Sequence, residues 1–92
     1  MEKRQHRRIP FQRSVYLSSR QIGEQEMESS DFSLSGMSML SEQPVPVGEK
    51  VRLRFVVNTL GNRRELNVLA EIRHVNLAAG RYRVGVNFLD LD

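Results

Sequence analysis

The sequence contains no cysteine, so disulfides, thiolate chemistry and zinc ribbons are excluded. It has only two histidines, His6 and His74, and each adjoins an arginine, a cation that disfavours a metal ion beside it. Neither a metal site nor a cofactor is therefore expected. No apolar run approaches the ~20 residues that span a bilayer, and the charged N-terminus lacks the apolar stretch of a signal peptide. A cytoplasmic chain without membrane insertion is the expectation. Phosphate loops of the GxxxxGK and GxGxxG types are missing. So is a catalytic constellation: the acids fall mostly on alternating outward faces or in loops. Ser33 and Ser35 lack the strand–elbow–helix setting of a hydrolase nucleophile, and no histidine is placed to activate them. The chain reads as a binding protein rather than an enzyme.

What is present is one small domain. Its 92 residues are 39% hydrophobic and 27% charged, a balance that suits a single core and a folded chain. The net charge is +3, but residues 1–13 hold Lys3, Arg4, Arg7, Arg8 and Arg13 against Glu2 alone. That segment carries +4, so the remainder carries −1. A basic arm over residues 1–13, mobile by its composition, on a near-neutral body over residues 14–92 implies an anionic partner.

The body alternates with strand periodicity. Val15 and Leu17 mark a strand from Ser14 to Ser19, and a second runs from a Gly23 turn past Met27 into Asp31-Phe32-Ser33-Leu34-Ser35-Gly36. Met37 to Leu40 forms a third, and Pro44, Pro46 and Gly48 make a loop of Ser41 to Lys50. Val51, Leu53, Phe55 and Val57 line a fourth, a Gly61-Asn62 turn follows, and Leu66, Val68, Ala70 and Ile72 line a fifth between Arg64 and Val75. After Ala78-Ala79-Gly80, the last strand sets Tyr82, Val84, Val86 and Phe88 inward, with Gly85 admitting a close neighbour. Helical periodicity longer than about two turns is absent, so an all-antiparallel sheet is expected. With one apolar face it must close into a small six-stranded β-barrel. No C-terminal helix is expected.

Two stretches carry chemistry. Arg4 and Arg8 stand four apart with Lys3 and Arg7 beside them, and arginine forks can clamp a phosphate or the O6/N7 edge of guanine. Strand alternation puts Asp31 and Ser33 on one face with Phe32 and Leu34 on the other. A carboxylate there can accept from guanine N1–H and N2–H₂. An arginine fork plus a carboxylate suits a purine ligand that also carries phosphate.

Arg4-Gln5-His6-Arg7-Arg8 reads as RxxxR and Asp31 to Gly36 as [D/N]xSxxG, about twenty residues apart. Together they resemble the PilZ domain, a receptor module for cyclic di-GMP, and Gly85 to Phe88 resembles that family's last strand with its GxxF. The resemblance implies a barrel of split-barrel type. It implies that Arg4 and Arg8 contact guanine edges and phosphates, that Asp31 and Ser33 hold the other guanine edge and backbone groups, and that Gly36 keeps the surface flat. Gly85 would lie close to the ligand. Lys3, just before the first arginine, would favour a stacked pair of ligands. With no output domain in view, the resemblance also implies a protein effector as partner. Two other readings compete. One is a small barrel that stacks single-stranded nucleic acid on Tyr16 or Phe32. The other is a degenerate PilZ module that binds protein alone. No DNA partner is expected.

Overall fold

The computed structural model describes residues 9–10 and 12–90. The expected alternation produces strands β2 (Ser14–Ser19), β3 (Gly23–Phe32), β4 (Gly36–Ser41), β5 (Lys50–Thr59), β6 (Asn62–Ala78) and β7 (Arg81–Asp90). A two-residue strand, β1 (Ile9–Pro10), precedes them. All pairings are antiparallel, in the order β1-β3-β2-β5-β6-β7-β4, and β3 pairs again with β4 to close the barrel. No helix occurs among the described residues, and none there could cross a membrane.

Closure buries alternate side chains over the middle of the strands. Val15, Leu17, Met27, Met37, Met39, Val51, Leu53, Phe55, Val68, Ala70, Ile72, Val84 and Val86 fill the interior, and Val45 reaches in from the proline-rich loop. The methionines of β3 and β4 are core, where their unbranched thioethers fill irregular space. Phe32 meets Phe55 edge-on at 5.8 Å and Phe88 at 5.9 Å. This aromatic cluster pins the end of β3 onto the core.

Three departures from regular pairing matter. In β3 the register slips between Ser29 and Asp31, in β6 between Ile72 and His74, and between Leu69 and Ala70 of β6 against β7. Each inserts an extra residue into one strand, a bulge that re-aims the side chains beside it. The barrel wall also parts where β3 changes neighbours. Glu28 pairs with Ser14 on one side and Leu40 on the other. Past that point lies a cleft of about 430 Å³ lined by Met27, Leu40, Glu42 and Arg81 among others. Arg81 Nη1 and Glu28 Oε1 face each other there at 3.7 Å.

The β5–β6 turn differs from expectation by one residue. Thr59 pairs with Asn62, so the two-residue loop is Leu60-Gly61, with φ of 51° and 82°. Tight hairpins require positive φ at both central positions, which suits asparagine before glycine and costs a leucine about 1–2 kcal/mol. Leu60 is 98% exposed and gains nothing from packing. Leu60→Asn should therefore raise the melting temperature by roughly 4 °C or more, given about 4–8 °C per kcal/mol for a domain this size. Thermal denaturation checks it, and an unchanged or lower midpoint refutes it.

Candidate functional site

Three strands supply a flat floor on the outer surface. Along β4 the inward residues are Met37, Met39 and Ser41, so Ser38 and Leu40 face out, while Gly36 is buried against β7. Along β7, Val84 and Val86 point in, and Gly85, on the opposite side, is buried beneath the His74 ring. Cross-strand pairing then sets one row, Asp31 of β3 to Ser38 of β4 to Gly85 of β7 to His74 of β6. Ser38 and Gly85, with the His74 ring over the glycine, make the middle. Asp31 stands at one rim, Arg73 and His74 at the other.

The bulges create both rims. Met27 and Ser29 point inward, and the extra residue Ser30 turns Asp31 out while Phe32 returns to the core. Asp31 therefore shares its face with Ser38. Ser33 is instead 3% exposed and sits in the β3–β4 turn, whereas Leu34 is 64% exposed. The face shared by Asp31 and Ser33, with Leu34 on the opposite layer, is thus not what forms. Alternation breaks down because the strand ends at Phe32. Ser33 N–H donates to the Gly36 carbonyl at 2.9 Å, and Ser35 N–H donates to Ser33 Oγ at 3.2 Å. The two hydroxyls share a hydrogen bond at 3.1 Å, and Phe88 N–H donates to the Ser35 carbonyl at 2.9 Å. Ser33 locks the turn; Ser35 carries its exposed hydroxyl.

The two glycines have different neighbours. A Cβ on Gly36 would fall on the Val86 carbonyl oxygen, so glycine there lets β4 and β7 approach. A Cβ on Gly85 would overlap the His74 ring at Nε2 and Cε1. The close neighbour expected at Gly85 is thus an imidazole from the next strand.

Ile9 pairs with Phe32 and Pro10 with Asp31. Arg13 N–H donates to Ser29 Oγ at 3.0 Å, and Ser29 N–H donates to the Arg13 carbonyl at 2.9 Å. The chain after the arginine motif is thus fastened along β3 beside Asp31. Arg4, Arg8, Lys3 and Arg7 themselves lie outside the described residues.

On the outer face of β2, β5 and β6, Arg54 is held by two carboxylates. Arg54 reaches Glu24 at 3.1 Å and Glu65 at 3.4 Å and lies over the Tyr16 ring at 4.7 Å. The hydrogen bonds from Glu24 and Glu65 raise its guanidinium pKa. Tyr16 is therefore covered and Phe32 is committed to the core. Neither offers the free aromatic face that a single-strand binder uses. No group of three metal-ligating side chains occurs among the described residues.

Sequence reasoning missed Ser38, Arg73 and His74. Their place depends on cross-strand register and on a bulge, which one strand's periodicity does not reveal.

The PilZ domain family model matches residues 2–92. No curated protein matches the chain. Among solved structures, the chain resembles the Bacillus subtilis inhibitor of motility MotI/DgrA with TM-score 0.88 and 16% identity, over all of this chain and 45% of that one. It also resembles the PilZ domain of YcgR from Escherichia coli, solved with c-di-GMP, with TM-score 0.78 and 16% identity over 99% and 81%. The K. pneumonia MrkH–c-di-GMP complex matches with TM-score 0.73 and 12% identity over 98% and 46%. The chain thus spans less than half the length of MotI/DgrA and of MrkH.

Proposed function

Because the chain belongs to the PilZ domain family, we propose that it is a cyclic di-GMP receptor whose N-terminal arginines close over the dinucleotide on the β3–β4–β7 floor. The observation that carries this reading is the pairing of Ile9 and Pro10 with Phe32 and Asp31. Arg8 is covalently next to Ile9, so the RxxxR segment leads directly into the rim of the floor. A planar purine can lie over Ser38, between Asp31 at one rim and the His74 ring over Gly85 at the other. Asp31 accepts from guanine N1–H and N2–H₂, and Arg4 and Arg8 hold phosphates and the Hoogsteen edge. The solved c-di-GMP complexes of the YcgR PilZ domain and of MrkH support the ligand class.

Closing the arm changes the charge and shape of one barrel face, an ordering transition that a partner protein can read. Lys3, preceding Arg4, favours a stacked pair of ligands, and the stoichiometry of binding reports it.

Calorimetric titration with cyclic di-GMP, cyclic di-AMP and GTP tests the assignment. Saturable binding of cyclic di-GMP with at least tenfold preference over cyclic di-AMP is expected, since adenine lacks the N1–H and N2–H₂ donors that a carboxylate reads. Asp31→Asn should cost roughly tenfold for cyclic di-GMP, because an amide accepts fewer of those hydrogen bonds. Absent binding, or equal affinity for both dinucleotides, overturns the reading. The covered Tyr16 and the inward Phe32 weigh against the single-stranded nucleic-acid alternative.

A further inference from the structure

The β6 bulge places two residues, Arg73 and His74, opposite the single residue Gly85. Without the extra residue, strand alternation after Ile72 would carry Arg73 out and His74 in. With it, both are exposed, and Val75 resumes the inward side. The His74 ring then extends across β7, its Nε2 edge filling the space that a Gly85 side chain would take. Gly85 pairs in turn with Ser38, and Ser38 with Asp31. No hydrogen bond or ion pair holds the ring among the described residues. Arg73 and His74 thus stand across the floor from Asp31.

We propose that His74 is a ligand-contacting residue: carried over Gly85 by the bulge, its imidazole meets the phosphodiester ring of the bound dinucleotide from the side opposite Asp31. Arg73, beside it, adds positive charge to the same rim. This rests on the cyclic di-GMP reading and adds to it a third group outside both sequence motifs.

An imidazole nitrogen edge over a glycine offers a hydrogen-bonding group to a phosphate oxygen where any side chain at Gly85 would block it.

The test is cyclic di-GMP affinity by calorimetry, with the ligand-free melting temperature measured alongside. His74→Phe, which keeps a planar ring without the nitrogens, should weaken binding roughly tenfold with little change in melting temperature. Gly85→Ala puts a methyl group where the ring lies and should weaken binding too. Parent-like affinity in His74→Phe overturns the role of His74 while leaving the receptor reading intact. Failure of the parent to bind overturns both.

Discussion

Replacing Arg8 with alanine is expected to weaken cyclic di-GMP binding by roughly a hundredfold, and replacing Arg4 by roughly tenfold. A guanidinium that meets guanine or phosphate makes charge-assisted hydrogen bonds worth about 1.5–3 kcal/mol each, and a bidentate fork makes two. The difference between the two positions follows from the tether. Arg8 adjoins Ile9, whose backbone is paired with Phe32 beside Asp31, so little chain must be ordered to bring it to the floor. Arg4 is four residues farther out, and each additional residue fixed in one conformation costs about 1–2 kcal/mol. Arg8→Lys should recover only part of the loss, because an ammonium is a point charge without the planar fork. Neither alanine substitution should lower the melting temperature of the ligand-free protein by more than a degree or two. Calorimetry decides the matter. Unchanged affinity in both variants would remove the arm from the site, and a fall in ligand-free stability would move its role from binding to folding.

Gly36→Ala is expected to have the largest effect on the fold itself. The new methyl group would fall on the Val86 carbonyl oxygen, with the Val86 carbonyl carbon and Asn87 Cα behind it. These are backbone atoms and cannot swing aside, so β4 and β7 must separate. That strains the pairs Gly36–Asn87 and Met37–Val86 next to the barrel closure. Overpacking costs about 1–3 kcal/mol, and the upper end, which immovable backbone atoms call for, corresponds to a fall of roughly 12–24 °C in melting temperature for a domain of this size. The comparison with Gly85→Ala is informative, because there the atoms in the way belong to an imidazole that can rotate. If Gly36 served only to let a ligand approach, its alanine variant would melt like the parent and lose affinity alone. A large fall in the ligand-free melting temperature identifies strand approach as the first requirement, with the flat floor as its consequence.

The two stability predictions have different origins in the sequence. Leu60 breaks a rule that can be read locally, since leucine before glycine is a poor choice for a tight hairpin. The one-residue shift of that turn from Gly61-Asn62 to Leu60-Gly61 arises because β5 and β6 pair continuously up to Thr59 and Asn62. Gly36 gives no such local warning. Its position before a strand reads equally well as a turn, and its φ is not positive. Only the arrival of Val86 from fifty residues away explains it.

Strand periodicity was sufficient to predict an all-β barrel, its core from Val15 to Val86 and the loop around Pro44 and Pro46. Apolar alternation is a local property, and an isolated small sheet with one apolar face has few ways to hide it. The motifs pointed to Asp31, Gly36 and Gly85 as site residues and to the arginine arm as their complement, because their residue types carry specific chemistry. Tertiary structure decided which side chains share a surface. It seated Ser33 in a turn, put Ser38 beside Asp31, and brought His74 over Gly85. Each outcome follows from bulges and cross-strand register. A shift of one residue reverses the face of every side chain beyond it, and what selects it is the packing of other strands rather than the pattern of the strand itself.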